Sequence, residues 1–252
     1  MMRRELAAFF AALGFFTRLP VPAWVGYSAE AMQAAPRYLP AIGLLVGGLS
    51  AAVYLLAQAV WPPPVAILLA MGCGLLATGA FHEDGLADTA DGLGGGWDKA
   101  RILDIMKDSR VGSYGVVVLW LALSARFVLL CNLPPTLIAP ALLAGHAVSR
   151  WVALWPLLAM DYARDDSAGK SAPVAHRLHA PAFALATLCA ALPLYLLPPL
   201  QTLAGLALAG IAALWLIRKY RRWLGGYTGD SLGALQQVAE IAFYLGLLLK
   251  LG

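Results

Sequence analysis

Apolar runs long enough to cross a lipid bilayer recur along most of this 252-residue chain. A helix needs roughly 20 mainly apolar residues to span the hydrocarbon core, and several runs reach that length. Charged residues make up 13% of the sequence, against roughly 25% in a typical soluble domain. Helices satisfy all their backbone hydrogen bonds internally in lipid. The sequence therefore predicts an all-α, polytopic transmembrane helical bundle.

About seven spans are predicted, within a single integral membrane domain that covers residues 1–252. Their approximate ranges are 39–60, 63–81, 114–131, 136–159, 181–197, 200–217 and 233–250. One set of connections is short and rich in proline, which is typical of tight turns. The other set is long and polar, and consists of residues 1–38, 82–113, 160–180 and 218–232. We expect short interfacial helices in this second set, and the active-site loops at residues 82–113, 160–180 and 218–232.

The basic residues predict the orientation of these spans. Of the 18 Lys and Arg residues, all but Arg126, Arg150 and Lys250 lie in the long polar segments. Because loops rich in Lys and Arg stay in the cytoplasm, the N-terminus and the long loops are predicted to be cytoplasmic. This topology, with contact to anionic membrane lipid, explains the pI of about 9.0 without a nucleic-acid partner.

The N-terminal segment has a basic start and a short apolar run, as a signal peptide would. Arg18 interrupts the end of that run, and no small-residue cleavage site follows it. We therefore expect a retained helix that lies on the membrane or re-enters it.

Half of the acidic residues of the chain lie between Phe81 and Gly115. Asp84, Asp88 and Asp91 are spaced i, i+4 and i+7, so they share one face of a helix. At about 6 Å and an effective dielectric constant near 20, each adjacent pair repels by about 3 kcal/mol. A bound divalent cation would remove that repulsion. Hard oxygen ligands without cysteine favour Mg²⁺, with Mn²⁺ as an alternative.

The acidic helix is predicted to continue the second span in one straight helix over residues 63–91. At 1.5 Å per residue such a helix is about 43 Å long, so its carboxylates would stand beyond the hydrocarbon core. The glycine run 92–96 is expected to end it. The alternative is a solvated acidic turn that pairs with the basic residues following it, namely Lys99, Arg101, Lys107 and Arg110.

Two further segments carry candidate residues. Residues 97–112 are predicted to form a short interfacial helix in which Lys107 and Arg110 could balance a diphosphate; the alternative is a self-neutralised amphipathic helix. Near residue 230, Asp230 is a candidate site residue or a helix cap. Glu240, deeper in its span, is either a functional carboxylate or the partner of an intramembrane arginine.

Three motifs resemble the cobalamin synthase family: HEDGLADTADG (82–92), MKDSRVGSYG (106–115) and GGYTGDSLGA (225–234). With FFTRLPVP near the start, the resemblance covers essentially the whole chain, least closely over 160–180. Members of this family are adenosylcobinamide-GDP ribazoletransferases, also called cobalamin-5′-phosphate synthases, of the prokaryotic cytoplasmic (inner) membrane. The resemblance implies Mg²⁺-dependent attack by the ribose hydroxyl of α-ribazole, or of its 5′-phosphate, on the cobinamide-bearing phosphorus. GMP leaves, and adenosylcobalamin or its 5′-phosphate forms.

The residues and the resemblance together predict a site. The predicted metal ligands are Glu83, Asp84, Asp88 and Asp91. The predicted catalytic residues are His82, Asp84, Lys107, Asp108, Arg110 and Asp230. Lys107 and Arg110 would neutralise phosphate, and Asp108 and Asp230 would bind a second ion or orient the nucleophile. His82 or an aspartate would accept the hydroxyl proton, and the sequence does not choose between them.

Other classes of protein fit the sequence less well. A cation or corrinoid transporter would distribute polar groups through several spans, often in broken helices. A structural scaffold would leave the acidic cluster unexplained. Among membrane transferases, prenyltransferases and CDP-alcohol phosphotransferases also use Asp-rich helices, but the MKDSR segment separates this chain from the DDxxD pattern. A homo-oligomer, or a complex with other cobalamin-assembly enzymes, is a further expectation.

Overall fold

The computed structural model describes residues 2–164 and 177–250. The helices, in chain order, are α1 (Met2–Phe16), α2 (Ala29–Ala34), α3 (Leu39–Ala57), α4 (Pro63–Thr78), α5 (Phe81–Gly95), α6 (Lys99–Ile105), α7 (Ser113–Cys131), α8 (Pro135–Val152), α9 (Pro156–Ala159), α10 (Ala180–Ala191), α11 (Pro199–Trp223) and α12 (Gly229–Leu247). Short 3₁₀ segments at Ala35–Tyr38 and Leu192–Leu196 extend α2 into α3 and lengthen α10. The prediction of an all-α fold is confirmed.

The helices form a membrane bundle with fewer clear spans than predicted. Four segments of the described residues are long and apolar enough to cross a bilayer: Ala29–Ala57, Ser113–Cys131, Pro135–Ala159 and Pro199–Trp223. Counting α4 and α5 as one broken span gives up to five. The predicted spans 181–197 and 233–250 are helical, but the first is short. The second is α12, which buries Gln236, Gln237 and Glu240.

The predicted straight helix over 63–91 is wrong. α4 ends at Thr78, and α5 leaves it at an angle of 85°. Gly79 and Ala80 both adopt left-handed backbone conformations, with φ of 64° and 56°. A side chain at Gly79 would overlap Arg18, whose backbone N–H donates to the carbonyl oxygen of Ala77 at 2.7 Å. The N-terminal segment therefore packs on this bend, and of the two helices α4 is the apolar part and α5 the acidic part.

The glycine run 92–96 ends α5, as predicted, although the helix continues through the first glycines of the run to Gly95. Gly92 and Gly96 lie directly against α6. A Cβ atom at Gly92 would stand 3.1 Å from the carbonyl oxygen of Ile102, and one at Gly96 would stand 2.9 Å from the Ile102 Cα atom. These glycines let α6 fold back onto α5, which offsets their low helix propensity.

α12 lies at the centre of the bundle and packs against α5, α7, α8 and α11. Gly85 of α5 faces the backbone of Asp230, where a Cβ atom would stand 2.7 Å from the carbonyl oxygen. At Gly233 of α12, a Cβ atom would stand 3.1 Å from the carbonyl oxygen of His82. This glycine contact brings the acidic face of α5 beside the first turn of α12.

The long polar connections gather at one end of the bundle, which we call the polar end: residues 81–113, 160–164 and 224–230. There the Tyr227 N–H donates to the carbonyl oxygen of Asp161 at 3.1 Å. The short turns lie at the other end, where the Tyr54 hydroxyl contacts the carbonyl oxygen of Pro135 at 3.5 Å. α1, at 15 residues, is about 22 Å long and shorter than a hydrocarbon core of about 30 Å.

Candidate active site

Three aspartates crowd together where α5 meets α12. Asp84 is exposed, Asp88 is half-buried, and Asp230 lies in the first turn of α12. Burial and the nearby carboxylates of Asp84 and Asp230 raise the pKa of Asp88 to about 7. Burial also raises the pKa of Asp230, with a further contribution from Asp84. The site therefore holds more negative charge than its own basic groups balance.

Arg164 brings a positive charge to this cluster. Its Nη2 atom donates to Asp230 Oδ2 at 2.7 Å, and its charge partly offsets the rise in the pKa of Asp88. Sequence reasoning did not select Arg164 because no local pattern distinguishes it from other loop arginines. It is the main functional candidate that only the structure shows.

Asp91 has a different set of contacts from Asp84 and Asp88. Its Oδ2 atom accepts from the backbone N–H of Gly112 at 2.7 Å, and its Oδ1 atom accepts from that of Gly115 at 2.9 Å. A Cβ atom at either glycine would overlap the carboxylate. Asp91 thus anchors the N-terminus of α7, where a carboxylate is favoured by the helix dipole. Its assignment as a metal ligand stays a prediction.

Glu83 points into the bundle instead of towards Asp84. Its Oε1 atom accepts from Arg126 Nη2 at 3.1 Å and from Gln237 Nε2 at 2.9 Å. Arg126 also donates through Nη1 to Glu240 Oε1 at 3.1 Å. The expected pairing of Glu240 with an intramembrane arginine is therefore present, and with Glu83 it joins α5, α7 and α12. Because these groups are buried, the pairs fix how α5 is rotated against its neighbours.

The ion pairs belong to a larger buried polar network. Gln236 Nε2 donates to Glu240 Oε2 at 2.8 Å and to the Ser149 hydroxyl at 2.7 Å. Arg150, 2% exposed, contacts His146 Nδ1 at 3.0 Å and donates to the His146 carbonyl oxygen at 3.0 Å. Two glutamates and two arginines thus share the core of the bundle, below the aspartates of the polar end.

His82 is buried, with only 3% of its surface exposed. Its ring stacks on Phe16 at a centroid distance of 6.4 Å and meets Phe81 edge to face at 5.4 Å. It lines an apolar cavity of about 40 Å³ shared with Tyr162 and Tyr227. This position suits packing between α1 and α5 more than contact with a polar substrate.

Asp108 and Arg110 form a local pair after α6. Arg110 donates to Asp108 through Nη2 at 2.7 Å and through Nε at 3.0 Å. Hydrogen bonds from Arg110 lower the pKa of Asp108 to about 2. Lys107 lies on another side of the same turn, beside Lys99 and Arg164. The predicted catalytic residues therefore fall into separate groups, and the structure brings Asp84, Asp88 and Asp230 together.

The acidic residues of α5 are the predicted ligands of a metal ion. In residues 2–164 and 177–250, no group of three or more His, Cys, Asp or Glu side chains is arranged to hold a metal ion. The four predicted ligands differ in their surroundings, because Glu83 faces the core and Asp91 binds backbone N–H groups. Asp84 and Asp88, with Asp230 nearby, carry the excess of charge and the hard oxygen atoms that a divalent cation requires.

The fold and this site define an all-α membrane protein with an acidic, arginine-containing site at one end of its bundle. The sequence model of the cobalamin-5-phosphate synthase family matches residues 8–248. An adenosylcobinamide-GDP ribazoletransferase from Shewanella woodyi is 46% identical over 255 residues, which cover 98% of each chain. One from Leptothrix cholodnii is 48% identical over 250 residues, which cover 96% of this chain and 95% of the relative. The chain belongs to the cobalamin-5-phosphate synthase family. No solved structure matches it.

Proposed function

We propose that the protein is an Mg²⁺-dependent adenosylcobinamide-GDP ribazoletransferase. The ribose hydroxyl of α-ribazole, or of its 5′-phosphate, bonds to the cobinamide-bearing phosphorus. The bond from this phosphorus to the bridging diphosphate oxygen breaks, GMP leaves, and adenosylcobalamin or its 5′-phosphate remains. The name shared by relatives over nearly the full length supports this reaction. The observation that supports the metal-dependent site is the half-buried position of Asp88 beside Asp84 and Asp230, where burial and these carboxylates together raise its pKa to about 7.

Asp84 and Asp88 are the residues that would hold Mg²⁺, or Mn²⁺ in its place. Mg²⁺ in phosphoryl-transfer sites commonly takes one or two carboxylates together with substrate phosphates, so a pair from α5 is sufficient. The ion would supply positive charge to the diphosphate and to the leaving GMP. Glu83, held by Arg126 and Gln237, keeps α5 in the rotation that presents these two carboxylates.

Asp230 is the best-placed group to orient the hydroxyl nucleophile and take its proton. Its pKa is raised, which makes it a better proton acceptor than an ordinary aspartate. Asp108, with a pKa of about 2, is a poor base and instead holds Arg110. His82 is enclosed by aromatic rings. We therefore assign proton transfer to Asp230.

The bundle would sit in the cytoplasmic membrane of a prokaryote with its polar end inside the cell. The basic residues of the long connections support this orientation. Placing the site at the membrane surface gives soluble α-ribazole direct access to it. Association into homo-oligomers, or with other enzymes of the same pathway, stays a prediction.

The decisive experiment combines the purified protein in lipid nanodiscs with adenosylcobinamide-GDP and α-ribazole. We expect GMP and a cobalamin product in equal amounts with Mg²⁺, and neither with a chelator. A parallel reaction without α-ribazole separates transfer from hydrolysis. GMP release that needs no acceptor, or that continues in the chelator, would contradict the proposal.

A further inference from the structure

Two grooves flank α6 at the polar end. The first, of about 390 Å³, is called the basic groove and is lined by Lys99, Leu103, Asp104, Lys107, Ala163 and Arg164. The second, of about 510 Å³, is called the mixed groove and includes Asp91, Arg101, Asp104, Asp108 and Arg110. Lys99 and Leu103 are four residues apart on one face of α6, and Lys107 follows in the turn after the helix. All three line the same groove as Arg164.

The charges of the two grooves differ in sign. The basic groove has three cationic side chains and one carboxylate, whereas the mixed groove has two arginines and three aspartates. Both grooves contain a paired arginine, because Asp108 holds Arg110 and Asp230 holds Arg164. When Asp230 is counted as well, the basic groove still has more cations than carboxylates. A phosphate group, which carries close to two negative charges at neutral pH, is therefore attracted to the basic groove and repelled from the mixed one.

Arg164 joins the basic groove to the aspartate cluster. Its Nη2 atom is held by Asp230 at 2.7 Å, while its Nε atom is buried without a hydrogen-bond partner in the described part of the chain. Arginine presents several N–H donors in a planar fork that matches phosphate oxygens. The contact with Asp230 fixes the plane of the fork and leaves other donors for an anion. Arg164 also lies close enough to Asp88 to act on its charge.

We propose that the basic groove binds the phosphate of the guanosine nucleotide, with Arg164 positioning GMP as the leaving group beside Asp88 and Asp230. This inference rests on the proposed function. When the bond to the bridging oxygen breaks, that oxygen leaves with the GMP phosphate and gains negative charge. Lys99, Lys107 and Arg164 surround it with positive charge. The mixed groove has more carboxylates than arginines, so it does not favour a phosphate group.

The test is equilibrium binding of GMP to the purified protein in nanodiscs, measured by calorimetry. Arg164→Gln should weaken binding by about tenfold to a hundredfold, since it removes a charge-assisted contact. Arg177→Gln is the matched control, because Arg177 also pairs with an aspartate, Asp161, at 2.9 Å but is exposed. It should bind GMP within about twofold of the wild-type protein, as expected for a surface pair.

A second variant keeps the test valid if Arg164→Gln fails to fold. Lys99→Gln leaves the pair of Arg164 and Asp230 intact and should weaken GMP binding by several-fold, with a smaller dependence on salt. Wild-type affinity in both Arg164→Gln and Lys99→Gln, in a protein that still performs the transfer, would overturn the groove assignment alone. Arg164-dependent GMP binding by a protein without transferase activity would instead refute the proposed function and support the groove.

Discussion

Replacing Arg126 with glutamine should strongly destabilise the bundle. Arg126 is 5% exposed and bonds to Glu83 and Glu240, each at 3.1 Å. When the buried histidines are neutral, the negative charges of the two glutamates are balanced by the positive charges of Arg126 and Arg150. Removal of Arg126 leaves two buried carboxylates, and Arg150 forms no direct ion pair with either among the residues that the structure describes.

Removing one partner of a buried ion pair typically costs about 3–5 kcal/mol, because the remaining charge is left without compensation. The loss for Arg126→Gln should fall in this range, since both of its carboxylates are almost fully buried. Adding Glu83→Gln restores the charge balance between Glu240 and Arg150. The double variant should therefore be more stable than Arg126→Gln alone.

The assay is equilibrium unfolding in mixed detergent micelles, which gives the free energy of unfolding for each variant. Arg37→Gln is the control, because its pair with Glu5 at 3.1 Å is partly exposed and should contribute about 0–1 kcal/mol. A loss of stability in Arg126→Gln no larger than that of the control would contradict the role given to these ion pairs. So would a double variant that is the least stable of the three.

Three shorter predictions follow from the backbone and the aspartates. Gly115→Ala should lower the free energy of unfolding by about 2 kcal/mol in the same assay, because its Cβ atom displaces Asp91. Wild-type stability would contradict the anchor. Ala80→Gly should raise the free energy of unfolding by about 1 kcal/mol, because φ at Ala80 is 56° and glycine adopts that conformation without strain. A lower free energy of unfolding would contradict the left-handed bend at this residue. In chelator, the free energy of unfolding should fall as pH rises from about 4 to 7, because native Asp88 has a pKa of about 7 against 3.8 and retains its proton. Asp88→Asn should flatten this dependence in a pH series, and an unchanged slope would refute the assignment.

The class of fold and the acidic helix could be predicted because both depend on local pattern. Apolar runs predict membrane helices, and the spacing of Asp84 and Asp88 predicts a shared helix face. The count of spans could not be derived in this way. Hydropathy alone does not distinguish a helix that faces lipid from a central helix such as α12. The glutamines and Glu240 of α12 form hydrogen bonds to side chains of neighbouring helices.

The details of the site depend on contacts that are distant in sequence. The bend at Gly79 is accompanied by packing of Arg18, 61 residues earlier. The role of Asp91 is set by backbone N–H groups at Gly112 and Gly115, which no side-chain pattern reveals. Arg164 reaches Asp230 across 66 residues. In each case a tertiary contact assigns a role that local spacing leaves open.

The central claim is that Asp84 and Asp88 hold the divalent cation required for GMP release. It is tested most directly by the rate of GMP release during an Mg²⁺ titration of Asp84→Asn and Asp88→Asn. Asp161→Asn, at an exposed position of the polar end, is the control. We expect both α5 variants to lose at least about a hundredfold in rate, because several kcal/mol of charge stabilisation is lost, while the control responds like the wild-type protein. Wild-type rates and Mg²⁺ dependence in both α5 variants would contradict the claim.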